Sequence, residues 1–392
     1  MRMLRDPAAA GGGRAPLGSA SRAATLAAEA PMTLRSHVHV DTDALRHNAR
    51  QVRDWAGERQ VIAVVKADAY GLGAERCCSV LAEEGVDCMA VANINEAIRL
   101  RAIAPTARIV ILGEVLAEER ERVTVIGAEA CVSRLEDVHA FARWGTAEQP
   151  VRLHVFVDTG MGRMGCLPHE ASAIAAAIQA HPHLRLGGIG THYPKAFDPV
   201  FSLDQESCFE AILDACGPLP GDCLVHVANS AGLGARPTGR ANAVRVGLAL
   251  YGVAEREAER AALLPVVSWH SCITLIKDLP AGHNVSYELT WRCPAATVVA
   301  IVPIGYADGY PTTLSHKASV LVHGRRCRVL GRVTMDYLVV DITGLERPQH
   351  GDEVIIMGRQ GEELIRAEEL AEQAGLIPYE ILTSLNKRYR DK

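Results

Sequence analysis

A lysine follows an uninterrupted apolar run in the stretch VIAVVKADAYGLGA, which covers residues 61–74. Five apolar residues precede Lys66, and Tyr70 follows four positions later, just before Gly71. At the end of a buried strand a lysine amine is partly desolvated, so its pKa falls and it can act as a nucleophile or a base. Lys66 is therefore predicted to be reactive, with Schiff-base formation on an aldehyde as the chemistry that suits it best.

Other polar residues follow or interrupt apolar runs farther along the chain. They are Asp158 in VFVDTG, His192 in GGIGTHY, Asn229 and Ser230 in VHVANS, and Arg245 in AVRVGLALYG. An arginine inside an apolar strand costs much free energy unless it has a partner, so Arg245 is predicted to be functional. His192 is either a core histidine or a ring that stacks on a planar cofactor. Asn229 and Ser230 form either a phosphate-binding turn or a helix cap.

The glycine-rich segment DTGMGRMG, residues 158–165, has two interpretations. It contains G-x-G-x-x-G after a strand, which is the pattern of a dinucleotide-binding turn. Such a turn is followed, about twenty residues on, by an acidic residue at the end of the next strand. Here that strand ends in GGIGTHY instead. We therefore favour a loop that holds Arg163 for contact with a carboxylate or a phenolate.

Short β-branched runs alternate with amphipathic helical stretches between Val61 and Tyr251, which predicts parallel strands joined by right-handed crossovers. Eight candidate strands can be counted: VIAVVKAD, CMAVAN, RIVILGE, EACVS, VRLHVFVDTG, LRLGGIGTHY, CLVHVANS and AVRVGLALYG. An open, doubly wound sheet would suit the same alternation. A closed (β/α)8 barrel of the TIM type is favoured, because the polar candidates lie near the carboxyl ends of different strands. A barrel gathers those ends around one mouth.

The pattern changes after Tyr251 to short alternating runs separated by Gly and Pro, which predicts an all-β domain of antiparallel strands. We predict a barrel over residues 35–264 and a β domain over residues 265–392, with the boundary near Leu264. Residues 1–34 are rich in Ala, Gly, Ser and Arg and are predicted to be a disordered extension. Met32 leaves open a start site assigned too far upstream.

The composition points to a protein that handles a small molecule. The net charge of −5 gives no electrostatic reason to expect nucleic acid or an anionic membrane, and no apolar run is long enough to span a bilayer. The odd number of cysteines, 11, and the absence of C-x-x-C predict free thiols in a reducing compartment. His37 and His39 lack further ligands, so no metal site is expected.

These motifs, in this order, resemble the alanine racemase family of fold-type-III pyridoxal-phosphate (PLP) enzymes, from about His39 to Arg388. AVVKADAYGLGA resembles the cofactor-lysine motif of that family. The resemblance implies that Lys66 binds PLP covalently and that Tyr70 contacts its phosphate. It also implies phosphate contacts from Ser230, the backbone of Gly247 and Tyr379, a ring contact from His192, and Arg245 facing the pyridine nitrogen.

The resemblance further implies a racemase with two bases, in which Lys66 serves one face of the substrate and Tyr287 of VSYELTW the other. Arg163 would bond the phenolic oxygen of PLP and approach the substrate carboxylate. Met335 would contact that carboxylate through its backbone, and Tyr306 would line the entrance. In this family Tyr287, Tyr306 and Met335 come from a partner subunit, which implies a head-to-tail homodimer. A cytoplasmic enzyme that supplies D-alanine for peptidoglycan is the corresponding expectation.

Several positions depart from the family pattern. Many members carry a carbamylated lysine that orients the active-site arginine, and Phe156 stands at that position here. Glu288 replaces the usual glycine after VSY, and Thr334 replaces the common cysteine before Met335. These departures leave room for serine or a broader set of substrates. The less favoured alternatives are a fold-type-III decarboxylase, in which VSYELTW is not expected, and a non-catalytic PLP-binding protein, which would lack the β domain.

Overall fold

The computed structural model describes residues 35–233 and 239–385, so the predicted extension over 1–34 lies outside the described residues. The described chain begins with the strand Ser36–Val40 (β1) and the helix Thr42–Ala56 (α1). Asp41 caps this helix, because its side chain accepts hydrogen bonds from the backbone N–H groups of Asp43 and Ala44.

Eight parallel strands then close into a barrel, which confirms the predicted fold class and strand count. The ring closes where the last of these strands pairs with the first, with Ile62 opposite Arg245. The strands are Gln60–Val64 (β2), Cys88–Val91 (β3), Arg108–Ile111 (β4), Glu129–Val132 (β5), Val151–Phe156 (β6), Leu184–Gly190 (β7), Leu224–His226 (β8) and Ala243–Val246 (β9). Strands β3, β5, β8 and β9 are buried at every residue, as expected where a parallel sheet is covered on both faces.

Helical segments follow the barrel strands in turn. They are Ala74–Glu83 (α2), Ile94–Ile103 (α3), Arg120–Val125 (α4), Leu135–Phe141 (α5), Ala171–Ala180 (α6), Pro199–Cys216 (α7), Ser230–Leu233 (α8) and Glu257–Ala262 (α9). Among the described residues, no helix combines the length and the hydropathy that crossing a bilayer requires.

An antiparallel sheet occupies the C-terminal part of the described chain, as predicted. Its strands are Val267–Cys272 (β10), Leu275–Leu279 (β11), Thr297–Val302 (β14), Ser319–Val322 (β15), Arg325–Leu330 (β16), Leu338–Asp341 (β17), Glu353–Gln360 (β18) and Glu363–Ile365 (β19). Asn284–Val285 (β12) and Trp291–Arg292 (β13) pair separately as a short ribbon. Helices Ala367–Ala374 (α10) and Pro378–Ser384 (α11) end the described chain.

One part of the predicted domain division differs from the structure. Residues 36–40 were assigned to the barrel domain, but β1 pairs with β10 along its whole length and so belongs to the antiparallel sheet. The physical reason is burial, since Val38 and Val40 both lie in the apolar core, which is continuous from the barrel into the sheet. Alternation in HVHV predicts a strand but not which sheet it joins.

A buried asparagine on α1 ties down the segment that leaves the barrel. Asn48 donates hydrogen bonds to the carbonyl groups of Leu250 at 3.2 Å and Leu264 at 2.8 Å, and it accepts one from the Leu264 N–H at 2.8 Å. Because Asn48 is fully buried, these bonds replace the water that its amide would otherwise bind. The connection between barrel and sheet is therefore anchored rather than loose.

Candidate active site

The predicted site residues of the barrel lie where its strands end. Lys66 follows β2, Arg163 follows β6, His192 follows β7 and Ser230 follows β8. Arg245 lies on β9 itself, one residue before that strand ends. Because all eight strands are parallel, these ends share one mouth, and the structure thus brings together residues that are up to 179 positions apart in sequence (66 to 245).

The backbone from Ala67 to Tyr70 forms a left-handed turn. All four residues have positive φ angles, from 52° at Ala67 to 58° at Tyr70, although none is glycine. A left-handed conformation costs L-residues about 1–2 kcal/mol each, so the surrounding structure must hold this turn in place. The turn sets the directions of Lys66 and Tyr70 on either side of it.

Two carboxylates hold the left-handed turn through the backbone. Glu96, on α3, accepts hydrogen bonds from the Ala67 N–H at 2.9 Å and the Ala92 N–H at 2.8 Å. Asp68 accepts one from the Ala74 N–H at 2.8 Å and thereby links the turn to the start of α2. The strain beside Lys66 is thus offset by hydrogen bonds that reach outside the turn.

The side chain of Lys66 is half-buried at the barrel mouth. Burial lowers the pKa of Lys66 below its ordinary value, and the nearby cation Arg163 lowers it further, while Glu96 acts in the opposite direction. A larger fraction of Lys66 is consequently neutral, and able to act as nucleophile or base, than of an ordinary surface lysine at the same pH.

This pKa can be measured on the cofactor-free chain by competitive labelling of lysines across a pH series, with mass spectrometry. Lys66 is expected to react with its half-maximal pH below that of an ordinary lysine. Arg163→Gln should move that midpoint upward, because removing a neighbouring cation stabilises the protonated amine. Lys277, on β11, is labelled in the same sample and serves as the internal reference for any change in the reactivity of the labelling reagent. A midpoint that stays in place in the variant would show that Arg163 does not act on Lys66.

A small polar cradle lies beside the left-handed turn. Ser230 accepts hydrogen bonds through its hydroxyl from the N–H groups of Gly247 at 3.0 Å and Ala249 at 3.4 Å. A Cβ on Gly247 would lie 2.3 Å from the hydroxyl oxygen of Tyr70, so only glycine lets the tyrosine approach this backbone. The rings of Tyr70 and Tyr379 are 5.7 Å apart. Hydroxyl groups that can donate hydrogen bonds therefore gather beside the Gly247 backbone, as the binding of an anion requires.

The protonation state of the buried tyrosine suits an anion site. Tyr70 is buried, and burial raises the pKa of its phenol. Its hydroxyl group therefore keeps its proton and remains a donor.

The side chain of Asn229 bonds the backbone of its own turn and of a neighbouring segment. Its amide donates to the Tyr193 carbonyl at 3.2 Å and accepts from the Gly232 N–H at 2.9 Å. Asn229 thus shapes the turn that presents Ser230.

Arg245 and His192 lie next to each other at the mouth. Arg245 is 4% exposed, and its Nη2 donates to His192 Nδ1 at 3.0 Å and to the Thr191 carbonyl at 2.7 Å. Burial and then the Arg245 charge lower the pKa of His192 to about 3. His192 is consequently a neutral ring that accepts a hydrogen bond from a permanent cation.

The glycine-rich loop that carries Arg163 is organised by Asp158. One oxygen of Asp158 accepts hydrogen bonds from the backbone N–H groups of Gly160 at 2.9 Å, Met161 at 2.8 Å and Gly162 at 3.0 Å. Gly162 has a φ angle of 68°, which favours glycine there. The loop is therefore fixed by its own carboxylate, while Arg163 itself remains exposed.

Three predicted site residues of the β domain form a separate exposed group. The Tyr306 N–H donates to the Thr334 carbonyl at 3.0 Å, which places Tyr306 beside Met335. Ser286 donates to the Arg332 carbonyl at 2.6 Å, which brings the loop of Tyr287 to the same segment. Tyr287, Tyr306 and Met335 are 69%, 44% and 49% exposed. Within the described residues, no hydrogen bond or ring contact joins their side chains to the barrel mouth.

Two family models match this chain, the N-terminal domain of alanine racemase over residues 40–255 and its C-terminal domain over residues 266–392. The alanine racemase of Methylacidiphilum infernorum is 36% identical over 366 residues, which are 92% of this chain and 93% of that protein. The chain belongs to the alanine racemase family.

Solved structures of the alanine racemase family share the fold. Alanine racemase from Streptomyces coelicolor superposes with a TM-score of 0.85 at 32% identity, over 91% of this chain and 97% of that one. Alanine racemase from Bartonella henselae, solved with covalently bound pyridoxal phosphate, gives a TM-score of 0.82 at 28% identity, over 91% and 99% of the two chains.

Phe156 occupies an interior position in this alanine racemase family member. Its ring is buried and lies 5.6 Å from the guanidinium carbon of Arg245 and 6.4 Å from the ring of His226. An aromatic face close to a guanidinium attracts it electrostatically. Phe156 therefore contacts the buried cation of the mouth.

Sequence reasoning missed four polar residues that act behind the mouth: Glu96, Glu129, His154 and His226. Glu96 gave no signal, because a glutamate in the first turn of a helix is common. The two histidines did give one, since each interrupts an apolar run, in LHVF and LVHV. The same test that singled out Arg245 would have found them.

Proposed function

We propose that this protein interconverts L- and D-alanine with pyridoxal phosphate as its covalent cofactor. Membership of the alanine racemase family over nearly the whole described chain supports this activity. The observation that carries the proposal is the mouth itself, which the half-buried Lys66 shares with the anion cradle beside Tyr70 and with the buried guanidinium of Arg245.

The residues present fit the cofactor. Lys66 would hold it covalently, and the cradle around Gly247, which a Cβ would fill, would take its phosphate. The phosphate contacts there would be Tyr70, Ser230, Tyr379 and the backbone of Gly247, with Asn229 shaping the turn. When bound, pyridoxal phosphate acidifies the α-proton of a substrate amino acid by delocalising the electron pair left behind.

Two neighbours of the cofactor ring would tune it. His192, neutral and held by Arg245, would lie against the ring. Arg245 would face the pyridine nitrogen, where a permanent cation disfavours a second proton. Because this limits the withdrawal of electrons into the ring, Arg245 would favour return of the proton to the substrate over transamination.

Racemisation needs a base on each face of a planar carbon, and one side chain cannot easily serve both. Lys66 would take or return the α-proton on one face, helped by its lowered pKa. Tyr287 would serve the other face. Arg163 and the backbone of Met335 would hold the substrate carboxylate, and Tyr306 would line the entrance.

We infer that Tyr287, Tyr306 and Met335 act in the barrel of a second copy, in a head-to-tail homodimer. Their exposure supports this inference, because aromatic side chains are a usual component of protein interfaces.

The matched ranges 40–255 and 266–392 support a domain boundary near residue 264. A cytoplasmic location is supported by the odd number of cysteines, 11, and by the absence of C-x-x-C, because both are typical of a reducing compartment.

The nearest alternative is a racemase of serine or of several amino acids. Glu288, with a φ angle of 59° and an ion pair to Arg332 at 2.7 Å, replaces a glycine beside Tyr287. Thr334 adjoins Met335, so both departures lie next to proposed substrate contacts. A change in the shape or polarity of this region would alter which side chain the pocket accepts.

The proposal is tested by giving the PLP-loaded protein L-alanine and, separately, L-serine in D₂O. We expect α-deuterium incorporation by NMR and formation of D-alanine by chiral chromatography. Faster racemisation of serine than of alanine would keep the mechanism and change the substrate. A protein that binds PLP covalently but exchanges the α-proton of neither amino acid would refute the racemase.

A further inference from the structure

A continuous chain of hydrogen-bonded side chains crosses the interior of the barrel. Glu129 Oε2 lies 2.7 Å from His154 Nε2, His154 Nδ1 lies 2.9 Å from His226 Nε2, and His226 Nδ1 lies 2.6 Å from Arg245 Nη1. Glu129 opens β5 at the amino end of the barrel, whereas Arg245 is next to the carboxyl end of β9. The four residues, here called the barrel relay, therefore connect the two ends of the barrel.

Glycines on β7 make the space that the two imidazole rings occupy. A Cβ on Gly188 would lie 2.3 Å from His154 Nδ1, and a Cβ on Gly190 would lie 2.2 Å from His226 Cε1. A Cβ on Gly187 would lie 2.7 Å from Glu129 Oε2. Barrel interiors are otherwise filled by bulky apolar side chains. The glycines of the segment LGGIG therefore leave the space that the two buried histidine rings need.

The hydrogen bonds of the barrel relay run in one direction only. Arg245 can only donate, so His226 Nδ1 must accept and the proton of His226 is on Nε2. That proton is donated to His154 Nδ1, so His154 also carries its own proton on Nε2 and donates it to Glu129. Arg245 and Glu129 together leave one consistent arrangement, in which both histidines are neutral Nε2–H tautomers.

The charges around the relay agree with this arrangement. Hydrogen bonds from His154 and Arg108 hold the pKa of Glu129 at about 2, although burial opposes them. Burial lowers the pKa of His154 and of His226, and Arg245 lowers that of His226 further. Arg108 donates to the same oxygen of Glu129 at 2.8 Å, and Arg152 lies within 3.3 Å of its other oxygen. Glu129 is consequently ionised.

We propose that Glu129 and His154 are positioning residues for Arg245, which they hold through His226 in the orientation that the cofactor ring nitrogen requires. The effect on catalysis rests on the proposed racemase function, whereas the hydrogen-bond arrangement does not. Neither residue touches the cofactor site. Both act on it only by fixing which nitrogen of His226 accepts the guanidinium proton.

The carboxylate of Glu129 is essential to this role because it offers acceptors only. In Glu129→Gln the amide must place its NH₂ group against either Arg108 or His154, which are both donors. Of these two partners only His154 can become an acceptor, by moving its proton from Nε2 to Nδ1, so we expect the NH₂ group to face His154. The proton on Nδ1 of His154 is then donated to Nε2 of His226, which must carry its own proton on Nδ1. His226 would then present an N–H to Arg245, and two donors would face each other.

The test uses the full-length PLP-loaded protein labelled with ¹⁵N in its histidine rings. NMR reports which ring nitrogen carries the proton, and His154→Asn and His226→Asn assign the two signals. We expect neutral Nε2–H tautomers for both rings in the wild type and a changed tautomer in Glu129→Gln. The kcat of racemisation should fall about tenfold, the scale at which losing a supporting hydrogen bond behind a site costs function, with KM unchanged.

The matched control is Asp222→Asn, which removes another carboxylate at the amino end of the barrel. Asp222 pairs with Arg152 and Arg185 and does not bond either histidine, so the tautomers and kcat should stay unchanged. The proposal is overturned if the wild-type rings are charged or Nδ1–H, or if Glu129→Gln leaves the tautomers unchanged whatever happens to kcat. If Glu129→Gln does not fold, the wild-type tautomers decide alone. A wild-type protein with the expected tautomers but no racemisation would refute the function and not the relay.

Discussion

Lys66→Ala is expected to lower the rate of alanine racemisation by at least about a thousandfold, because it removes a general base and the covalent attachment of the cofactor together. The variant should also lose the absorption of protein-bound pyridoxal phosphate that survives dialysis in the wild type. Chiral chromatography of product and spectroscopy of the dialysed protein measure the two effects separately. Reduction with borohydride followed by mass spectrometry places the cofactor on residue 66 in the wild type.

Lys195→Ala is the matched control for this experiment. Lys195 also follows a barrel strand on the side of the mouth, but its side chain is 73% exposed and pairs with Asp198 at 3.0 Å. Its removal should leave both the bound cofactor and the rate unchanged. A Lys66→Ala protein that still racemises alanine at the wild-type rate would show that Lys66 is neither the attachment point nor a base.

The large elements of this fold could be read from the sequence because their apolar patterns are strong. Each of the eight barrel strands matches one of the predicted runs, and the closed ring follows from the polar residues at their ends. The resemblance carried by AVVKADAYGLGA also directed attention to Lys66 and Tyr70 before any geometry was known. Both kinds of signal are local in sequence, and they are reliable for that reason.

The remaining features depend on contacts between distant residues. The left-handed turn after Lys66 contains no glycine between Ala67 and Tyr70, so its sequence predicts an ordinary helix or strand end. It exists because Glu96, some thirty positions away, bonds its backbone at 2.9 Å. The buried histidines needed the glycines of β7, and β1 needed the edge of a sheet formed by later residues. No window of sequence contains both partners of these contacts.

These contacts also explain how one fold can hold a reactive site. The strain of the left-handed turn, about 1–2 kcal/mol per residue, lies beside the lysine whose direction must be fixed. The buried cation Arg245 has its guanidinium bonded to neutral acceptors, and its nearest carboxylate along the relay is Glu129 at the opposite end of the barrel. The barrel supplies the rigidity that both arrangements require.

Tyr287→Phe is expected to lower racemisation by about 10²–10⁴-fold, the range for loss of one general base, while leaving covalent PLP in place. Exchange of the α-proton in D₂O should be lost when the substrate is L-alanine and should persist when it is D-alanine, because Lys66 still serves the second face. Tyr337→Phe is the control, since this exposed tyrosine lies on the same loop as Met335 and has no assigned role. Equal loss of exchange from both enantiomers would argue against Tyr287 as a base for one face.

A hybrid of the two variants tests whether Tyr287 acts in the partner barrel. Tyr287 is 69% exposed, which is unexpected for a group that must work in a closed site of its own subunit. Co-expression of Lys66→Ala and Tyr287→Phe chains with different affinity tags yields hybrid dimers. If the tyrosine acts across the interface, one site of each hybrid combines a normal Lys66 with a normal Tyr287, and activity should return to about half that of the wild-type dimer. If the tyrosine acts within its own chain, each hybrid site lacks one base and stays inactive, so the two arrangements give opposite results from the same protein.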